Sequence, residues 1–163
     1  MRIGITGHQK LEPPSIWKWV GAELDQFVGK LRPPLTGISS LAAGADQLFA
    51  TTILRHGGAL EVIVPFAEYD STFSEDADRQ MYLSLLERAS RVDVLMRDGT
   101  DEEAYFAAGK TLVDRSDLLV SIWDGKAASG LGGTGDIVAY ALNLTKQIIH
   151  LNPVTKKVSV VGR

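Results

Sequence analysis

Residues 121–136 read SIWDGKAASGLGGTGD, an apolar run that stops at an acid and gives way to a loop holding five glycines. The loop opens onto IVAYAL at residues 137–142, which predicts a helix. A strand, a glycine-rich turn and a helix in this order favour anion binding, because backbone N–H groups and the positive end of the helix dipole converge where no Cβ blocks an anion. We therefore predict that this loop forms the floor of a ligand site.

Length and composition indicate an ordinary globular chain. Its 163 residues and 17.7 kDa fit one domain, spanning 1–163, whose core is large enough to need no disulfide or metal. Apolar residues make up 45% and charged residues 23%, so neither disorder nor a fibrous repeat is indicated. No cysteine occurs, and His8, His56 and His150 show no metal-ligand spacing. We expect no metal and no cofactor.

Targeting signals and charge indicate which cellular location and which binding partners to expect. The start at residues 1–6 is too short and too soon interrupted for a signal peptide, and no apolar run approaches the length of a membrane span. We expect a cytoplasmic protein without membrane contact. Seventeen basic residues against twenty acidic ones give a net charge of −3 without a basic cluster. On that ground we expect nucleic acid to be an unlikely partner.

Strand and helix patterns alternate six times along the chain. The alternation is typical of right-handed βαβ units, and it predicts a Rossmann-like three-layer α/β sandwich. Its doubly wound, mainly parallel sheet has about six strands, strand 1 is central, and helices cover both faces. An edge strand is added at residues 156–163. The predicted strands cover residues 1–6, 35–40, 60–64, 92–96, 117–123 and 147–151.

Ligands of such sheets bind at the carboxyl ends of the strands, near the point where the strand order reverses. The first strand ends at Gly7, His8 and Gln9, where His8 is a candidate donor to a phosphate or a base. Ser39 and Ser40 end the second strand and are expected to line the same space.

The turns that follow the strands supply further candidates. Gly44 and Asp46 follow the second strand, and Asp46 is predicted to accept from ribose hydroxyls or to cap a helix. Asp124, followed by Gly125, is the best acid for catalysis or ribose recognition, although the pair also forms turns. The candidates for the phosphate cradle itself are Gly132, Gly133, Thr134 and Gly135.

Several segments together resemble the SLOG superfamily, a group of Rossmann-like domains named after the Smf/DprA and LOG proteins. The matching segments are GITGH (4–8), SLAAGAD (40–46), VDRSD (113–117), WDG (123–125) and GGT (132–134). The resemblance covers nearly the whole chain and implies binding of a nucleotide or a nucleotide-derived ligand.

The LOG branch of this family consists of phosphoribohydrolases whose glycine loop carries a catalytic glutamate. On this sequence the glutamate falls on Ala139 and the preceding threonine on Asp136. Alanine stabilises no developing charge, so an enzyme of this kind needs Asp124 or Asp136 as its catalytic acid. An acid at the helix start also competes with phosphate for the same N–H groups.

Three functions follow from these observations. The first is a nucleotide-binding or nucleotide-sensing module, the second a LOG-like nucleoside monophosphate phosphoribohydrolase, and the third a DNA-processing module like Smf/DprA. We favour the first, and catalytic activity stays open. We also expect a homo-oligomer, because small Rossmann-like domains often complete their pocket across a two-fold axis, with Trp17 or Trp19 buried there.

Overall fold

The computed structural model describes residues 1–128 and 130–162; Ser129, within the glycine-rich stretch, and Arg163, at the end of the tail, lie outside the described residues. In the described part, seven strands and five α-helices follow one another, with a short 3-10 helix (Tyr69–Thr72) after the third strand. The elements are β1 (Arg2–Gly7), α1 (Ile16–Gly29), β2 (Thr36–Ser39), α2 (Ala45–Arg55), β3 (Ala59–Val64), α3 (Asp76–Glu87), β4 (Arg91–Val94), α4 (Asp101–Asp114), β5 (Leu118–Ile122), α5 (Thr134–Asn143), β6 (Gln147–Asn152) and β7 (Lys157–Val161).

The strands form one sheet in the order β4-β3-β2-β1-β5-β6-β7. All neighbouring pairs are parallel except β6 and β7, which are antiparallel. The predicted Rossmann-like fold with a central first strand is therefore confirmed. The order reverses between β1 and β5, where Gly7 pairs with Ile122 at the carboxyl ends.

Helices cover both faces of the sheet, which makes three layers. On one face, α1 and α2 pack through Leu24 and Phe49 against Ile5 of β1, and all three side chains are buried. On the other face, α4 and α5 pack through Leu112 and Ile137 on the central strands. The central strands are covered on both faces, which explains why they read as continuous apolar runs in the sequence.

The two edge strands differ from the central ones. All residues of β7 are exposed, and three of the four residues of β4 are exposed as well. Since β7 is confirmed as an edge strand, the sheet has one strand more than the six main strands predicted. Two helices begin differently: α3 follows Glu75, whose side chain makes no capping hydrogen bond, whereas α4 begins at Asp101 after a capping box formed by Thr100 and Glu103.

Within the described residues, none of the helices combines the length and apolar character that crossing a membrane requires.

Candidate ligand-binding cleft

A cleft of about 770 Å³ opens at the carboxyl edge of the sheet, above the ends of β1, β2 and β5 and the start of α5. It brings together predicted residues from four separate segments of the chain. Those that line it are Gly7, His8, Gln9, Ser40, Asp46, Asp124, Gly132, Gly133, Thr134 and Gly135. Ser39, Gly44, Gly125 and Asp136 do not line the cleft, but each is next in sequence to a residue that does.

The end of β1 is held between α2 and β5. The His8 N–H donates to the Ile122 carbonyl at 3.0 Å, and the His8 carbonyl accepts from the Ala45 N–H at 3.1 Å. A Cβ on Gly7 would lie 2.6 Å from the Ala45 Cβ, and one on Gly44 would collide with the Gln9 backbone. The two glycines are therefore required for the close approach of these loops.

Asp46 sits in the first turn of α2 and is 7% exposed. Its Oδ2 accepts from the Ser39 hydroxyl at 3.1 Å and from the N–H groups of Ser40 and Ala42 at 3.2 and 3.4 Å. Burial raises the pKa of Asp46 to about 6, although these hydrogen bonds oppose the rise. The carboxylate thus holds the turn after β2 in place by hydrogen bonds, and this turn forms one wall of the cleft.

Asp124 follows β5 and faces His8 across the cleft. The His8 Nε2 lies 3.2 Å from the Asp124 backbone nitrogen, which donates to it, and 3.4 Å from Oδ1. The Lys126 N–H donates to Oδ1 at 3.0 Å. Partial burial acts to raise the pKa of Asp124, but the Lys126 N–H and the His8 ring outweigh it, so the pKa lies below its ordinary value. Asp124 is therefore an ionised acceptor near neutral pH.

The glycine loop packs tightly against its surroundings. At Gly132 φ is +82°, and a Cβ there would lie 2.8 Å from the Phe106 nitrogen of α4. A Cβ on Gly135 would lie 2.9 Å from the Ala128 nitrogen. These glycines are needed for packing whether or not an anion binds.

The start of α5 offers N–H groups to the cleft. The Asp136 carboxylate, in the first turn of the helix, accepts a hydrogen bond from the Gly132 N–H at 3.0 Å. The Gly133 N–H donates to the Gly130 carbonyl at 3.3 Å. The N–H groups of Thr134 and Gly135, in the first turn, have no partner among the described residues. These two donors remain for an anion.

Aromatic side chains form the opposite side of the cleft. The rings of Phe73 and Tyr105 lie 5.4 and 6.1 Å from the ring of Tyr69, and all three residues line the cleft. Burial, together with the charge of Asp46, raises the pKa of Tyr69. Phe66 is 1% exposed and packs against Tyr69 beneath this cluster.

Sequence reasoning missed several lining residues. Lys10 and Lys126 supply cations, and Asp78 at the start of α3 supplies a third acid beside Asp46 and Asp124. Lys10 and Lys126 each lie within two residues of a predicted site residue, and that proximity was the available signal. Among residues 1–128 and 130–162, no three His, Asp or Glu side chains are grouped so that they could hold a metal ion.

Ala139, where the LOG glutamate would fall, is exposed on α5. It lines a smaller cavity beside Trp123 and His150 rather than the cleft.

The fold is similar to that of solved structures of DNA processing protein A (DprA). The X-ray structure of DprA from Streptococcus pneumoniae has a TM-score of 0.63 and 12% identity, covering 91% of this chain and 49% of that one. DprA from Helicobacter pylori, whose structure describes a single-stranded DNA binding mode, has a TM-score of 0.62 and 12% identity, covering 92% of this chain and 64% of that one. The chain spans about half to two thirds of these DprA chains.

At 12% identity this similarity shows the fold alone. No protein-family model matches the chain, and no curated protein is significantly similar to it in sequence.

One expectation is wrong. The net charge of −3 was taken to make nucleic acid an unlikely partner, but the H. pylori DprA with the same fold binds single-stranded DNA. Net charge describes the whole surface, whereas binding depends on the few groups that face the ligand, so it does not exclude nucleic acid here.

Proposed function

We propose that the cleft binds a nucleotide or a nucleotide-derived ligand through its phosphate. The observation that carries the proposal is the start of α5, where Thr134 and Gly135 line a cleft at the point of strand-order reversal and their N–H groups have no partner among the described residues. Helix N-termini at this position of doubly wound sheets bind phosphates through free N–H groups and the helix dipole.

The rest of the cleft fits the other parts of such a ligand. A volume of about 770 Å³ lies in the range of small-molecule sites. The half-buried rings of Phe73 and Tyr105, which pack on the buried ring of Tyr69, offer a surface for a base, and Asp124 offers an acceptor for sugar hydroxyls. Lys126 adds positive charge on the same side as Asp124.

We also infer that the chain is a member of the SLOG superfamily. The matching segments at 4–8, 40–46 and 132–134 lie on the loops that form the cleft, and the DprA proteins of this group share the fold.

Titration calorimetry and thermal unfolding with AMP, ADP, adenosine and inorganic phosphate test the nucleotide proposal. A ligand at a hundred times its dissociation constant should stabilise the protein by about 2.7 kcal/mol. Adenosine should bind more weakly than AMP, because it lacks the phosphate.

A variant that adds a negative charge tests whether the phosphate binds at the start of α5. Thr134→Glu sets a carboxylate at the first turn of α5 and should weaken AMP binding by at least about tenfold, which corresponds to about 1.4 kcal/mol. Asn143→Glu makes the same charge change at the exposed far end of the helix and should leave binding unchanged. The proposal fails if no phosphate-bearing compound binds, or if both variants bind AMP equally well.

A second candidate function is binding of single-stranded DNA. The observation that favours it is the similarity to DprA over more than nine tenths of the chain, at TM-scores of 0.63 and 0.62. Lys10 and Lys126 supply phosphate contacts for such a strand, and Phe73 and Tyr105 supply rings on which bases stack.

A fluorescent oligo-dT of twenty nucleotides, titrated at several salt concentrations, separates the two functions. If DNA binds in the cleft, Lys10→Gln and Lys126→Gln should each flatten the dependence of log affinity on log salt by about 0.7. Lys157→Gln on the exposed edge strand is the control. Binding of AMP without oligo-dT assigns the cleft to free nucleotides, and the opposite result assigns it to DNA.

A further inference from the structure

A second cavity of about 170 Å³ lies between α5 and the strands β5, β6 and β7. After β6 the chain turns directly into β7 through residues 153–156, so no crossover helix covers this corner of the sheet. Its lining residues are Ser121, Trp123, Gly135, Val138, Ala139, Leu142, Ile148, His150 and Val161. Leu142 and Val161 are each 38% exposed, which leaves the cavity open to solvent.

The walls of this cavity are almost entirely apolar, with one unusual group. Ser121, in the middle of β5, is fully buried, and its Oγ has no hydrogen-bond partner within the described residues. No other buried side-chain nitrogen or oxygen in that part of the chain is left in this state. Buried polar groups in native proteins are nearly always paired, because an unpaired one keeps its full desolvation cost.

Neighbouring polar groups do not satisfy the Ser121 hydroxyl. His150 is opposite Ser121 in the β5–β6 register, but its Nε2 bonds the Trp123 carbonyl at 2.8 Å. The Trp123 Nε1 donates to the Lys126 carbonyl at 2.7 Å. The Nε2 of His150 and the Nε1 of Trp123 are thus engaged elsewhere, while the ring centroids lie 5.5 Å apart and both residues line the cavity.

We propose that this cavity binds a small aromatic ring carrying one polar group, with the ring between α5 and Trp123 and the polar group hydrogen-bonded to Ser121 Oγ. An apolar cavity of about 150 Å³ is large enough to take benzene. A phenol ring matches both the size and the single polar contact. The ring comes either from a free phenolic compound or from a tyrosine side chain of a partner protein. This site adjoins the nucleotide cleft, with which it shares Trp123 and Gly135 as lining residues, but the proposal does not rest on the function proposed for the cleft.

Titration calorimetry with p-cresol and toluene tests the polar contact, because the two probes differ by one hydroxyl. Ser121→Ala should weaken p-cresol binding about three- to tenfold and leave toluene binding unchanged, since one neutral hydrogen bond is removed. An equal loss for both probes, or no loss for either, overturns the role of Ser121.

Filling the mouth of the cavity tests the location. Ala139→Leu should abolish binding of both probes, whereas Asn143→Leu, which adds the same side chain to an exposed position outside the cavity, should leave binding unchanged. Circular dichroism checks that each variant is folded. If neither probe binds the unmodified protein at millimolar concentration, or if Ala139→Leu still binds them, the site does not exist as proposed.

N-acetyltyrosinamide separates the two sources of the ring. If it binds within about tenfold of p-cresol and loses binding in Ala139→Leu, the mouth admits a tyrosine on a peptide backbone, and the partner-protein source is supported. If p-cresol binds and N-acetyltyrosinamide does not, the cavity takes free phenolic compounds.

Discussion

Asp46 makes the stability of this protein depend on pH in a direction opposite to that of most carboxylates. Its pKa is about 6 in the folded protein, against an ordinary value of 3.8, because the side chain is buried. The folded state therefore keeps a proton that the unfolded chain loses as the pH rises. The stability that Asp46 contributes is fully present below pH 3.8 and is lost between pH 3.8 and about 6.

The size of the effect follows from these two values. A shift of about two pKa units corresponds to about 3 kcal/mol over the whole range. Between pH 4.5 and 7.5 the expected loss is about 2 kcal/mol, since part of the titration of the unfolded chain is complete at pH 4.5. Asp46→Asn resembles the neutral acid and keeps an acceptor for Ser39, Ser40 and Ala42. The variant therefore should not show this loss.

Urea unfolding followed by circular dichroism at pH 4.5, 6.0 and 7.5 measures the difference between the two proteins. The free energy of unfolding of the unmodified protein should fall by about 2 kcal/mol relative to Asp46→Asn across this range. Other titrating groups are common to both proteins and cancel in the difference.

Asp93→Asn is the control, because the partners of Asp93 are Arg91 and Arg115, and arginines stay charged at every pH measured. The pKa of Asp93 is lowered by these arginines, so its contribution to stability is lost only as the pH falls through that lowered value, below the range measured. Its difference from the unmodified protein should stay nearly constant from pH 4.5 to 7.5. If the Asp46→Asn curve runs parallel to that of the unmodified protein, the burial argument for Asp46 is refuted.

Two further predictions concern local backbone structure, both measured by urea unfolding. Gly132→Ala and Gly125→Ala both place alanine at a positive φ, +82° and +87°, but only the first sets a Cβ against the backbone of α4, so Gly132→Ala should destabilise by about 1–3 kcal/mol more. Thr100→Ala removes the capping box with Glu103 and should cost about 1 kcal/mol. Thr111→Ala, inside the same helix, should cost less than about 0.5 kcal/mol. If the two glycine variants lose the same unfolding free energy, the close contact at Gly132 is contradicted. If the two threonine variants do, the capping role of Thr100 is contradicted.

The fold was predictable because its signals are local. Parallel strands covered on both faces appear as apolar runs, as in residues 60–64, and the glycine loop at 130–135 marks the passage from β5 to α5. The central position of β1 followed from the rule that these folds reverse beside the first strand, whereas the order of the other strands was not predicted. The capping box at Thr100 was also readable from the sequence, since a threonine stands three residues before a glutamate, and α4 begins directly after it at Asp101.

The burial and hydrogen bonding of individual polar side chains could not be predicted from the sequence in the same way. Asp46 follows a glycine and precedes a helix, and this pattern is the same for an exposed cap and for a buried acid that organises a turn. Its burial depends on the turn after β2 folding back over it, which is a tertiary property. Ser121 reads as an ordinary strand residue, and only the structure shows that its hydroxyl has no partner among the described residues.

The error about nucleic acid has the same origin. Some acids remote from the cleft are paired with cations, as Asp93 is with Arg91 and Arg115, and Asp25 with Arg55 at 2.6 Å. Exposed charges farther from a ligand than about 8–10 Å are screened at physiological ionic strength. A phosphate in the cleft therefore responds mainly to the nearby lysines and carboxylates and to the positive end of α5. The net charge of the chain is a sum over groups that the ligand does not sense, so the local arrangement decides which anions bind.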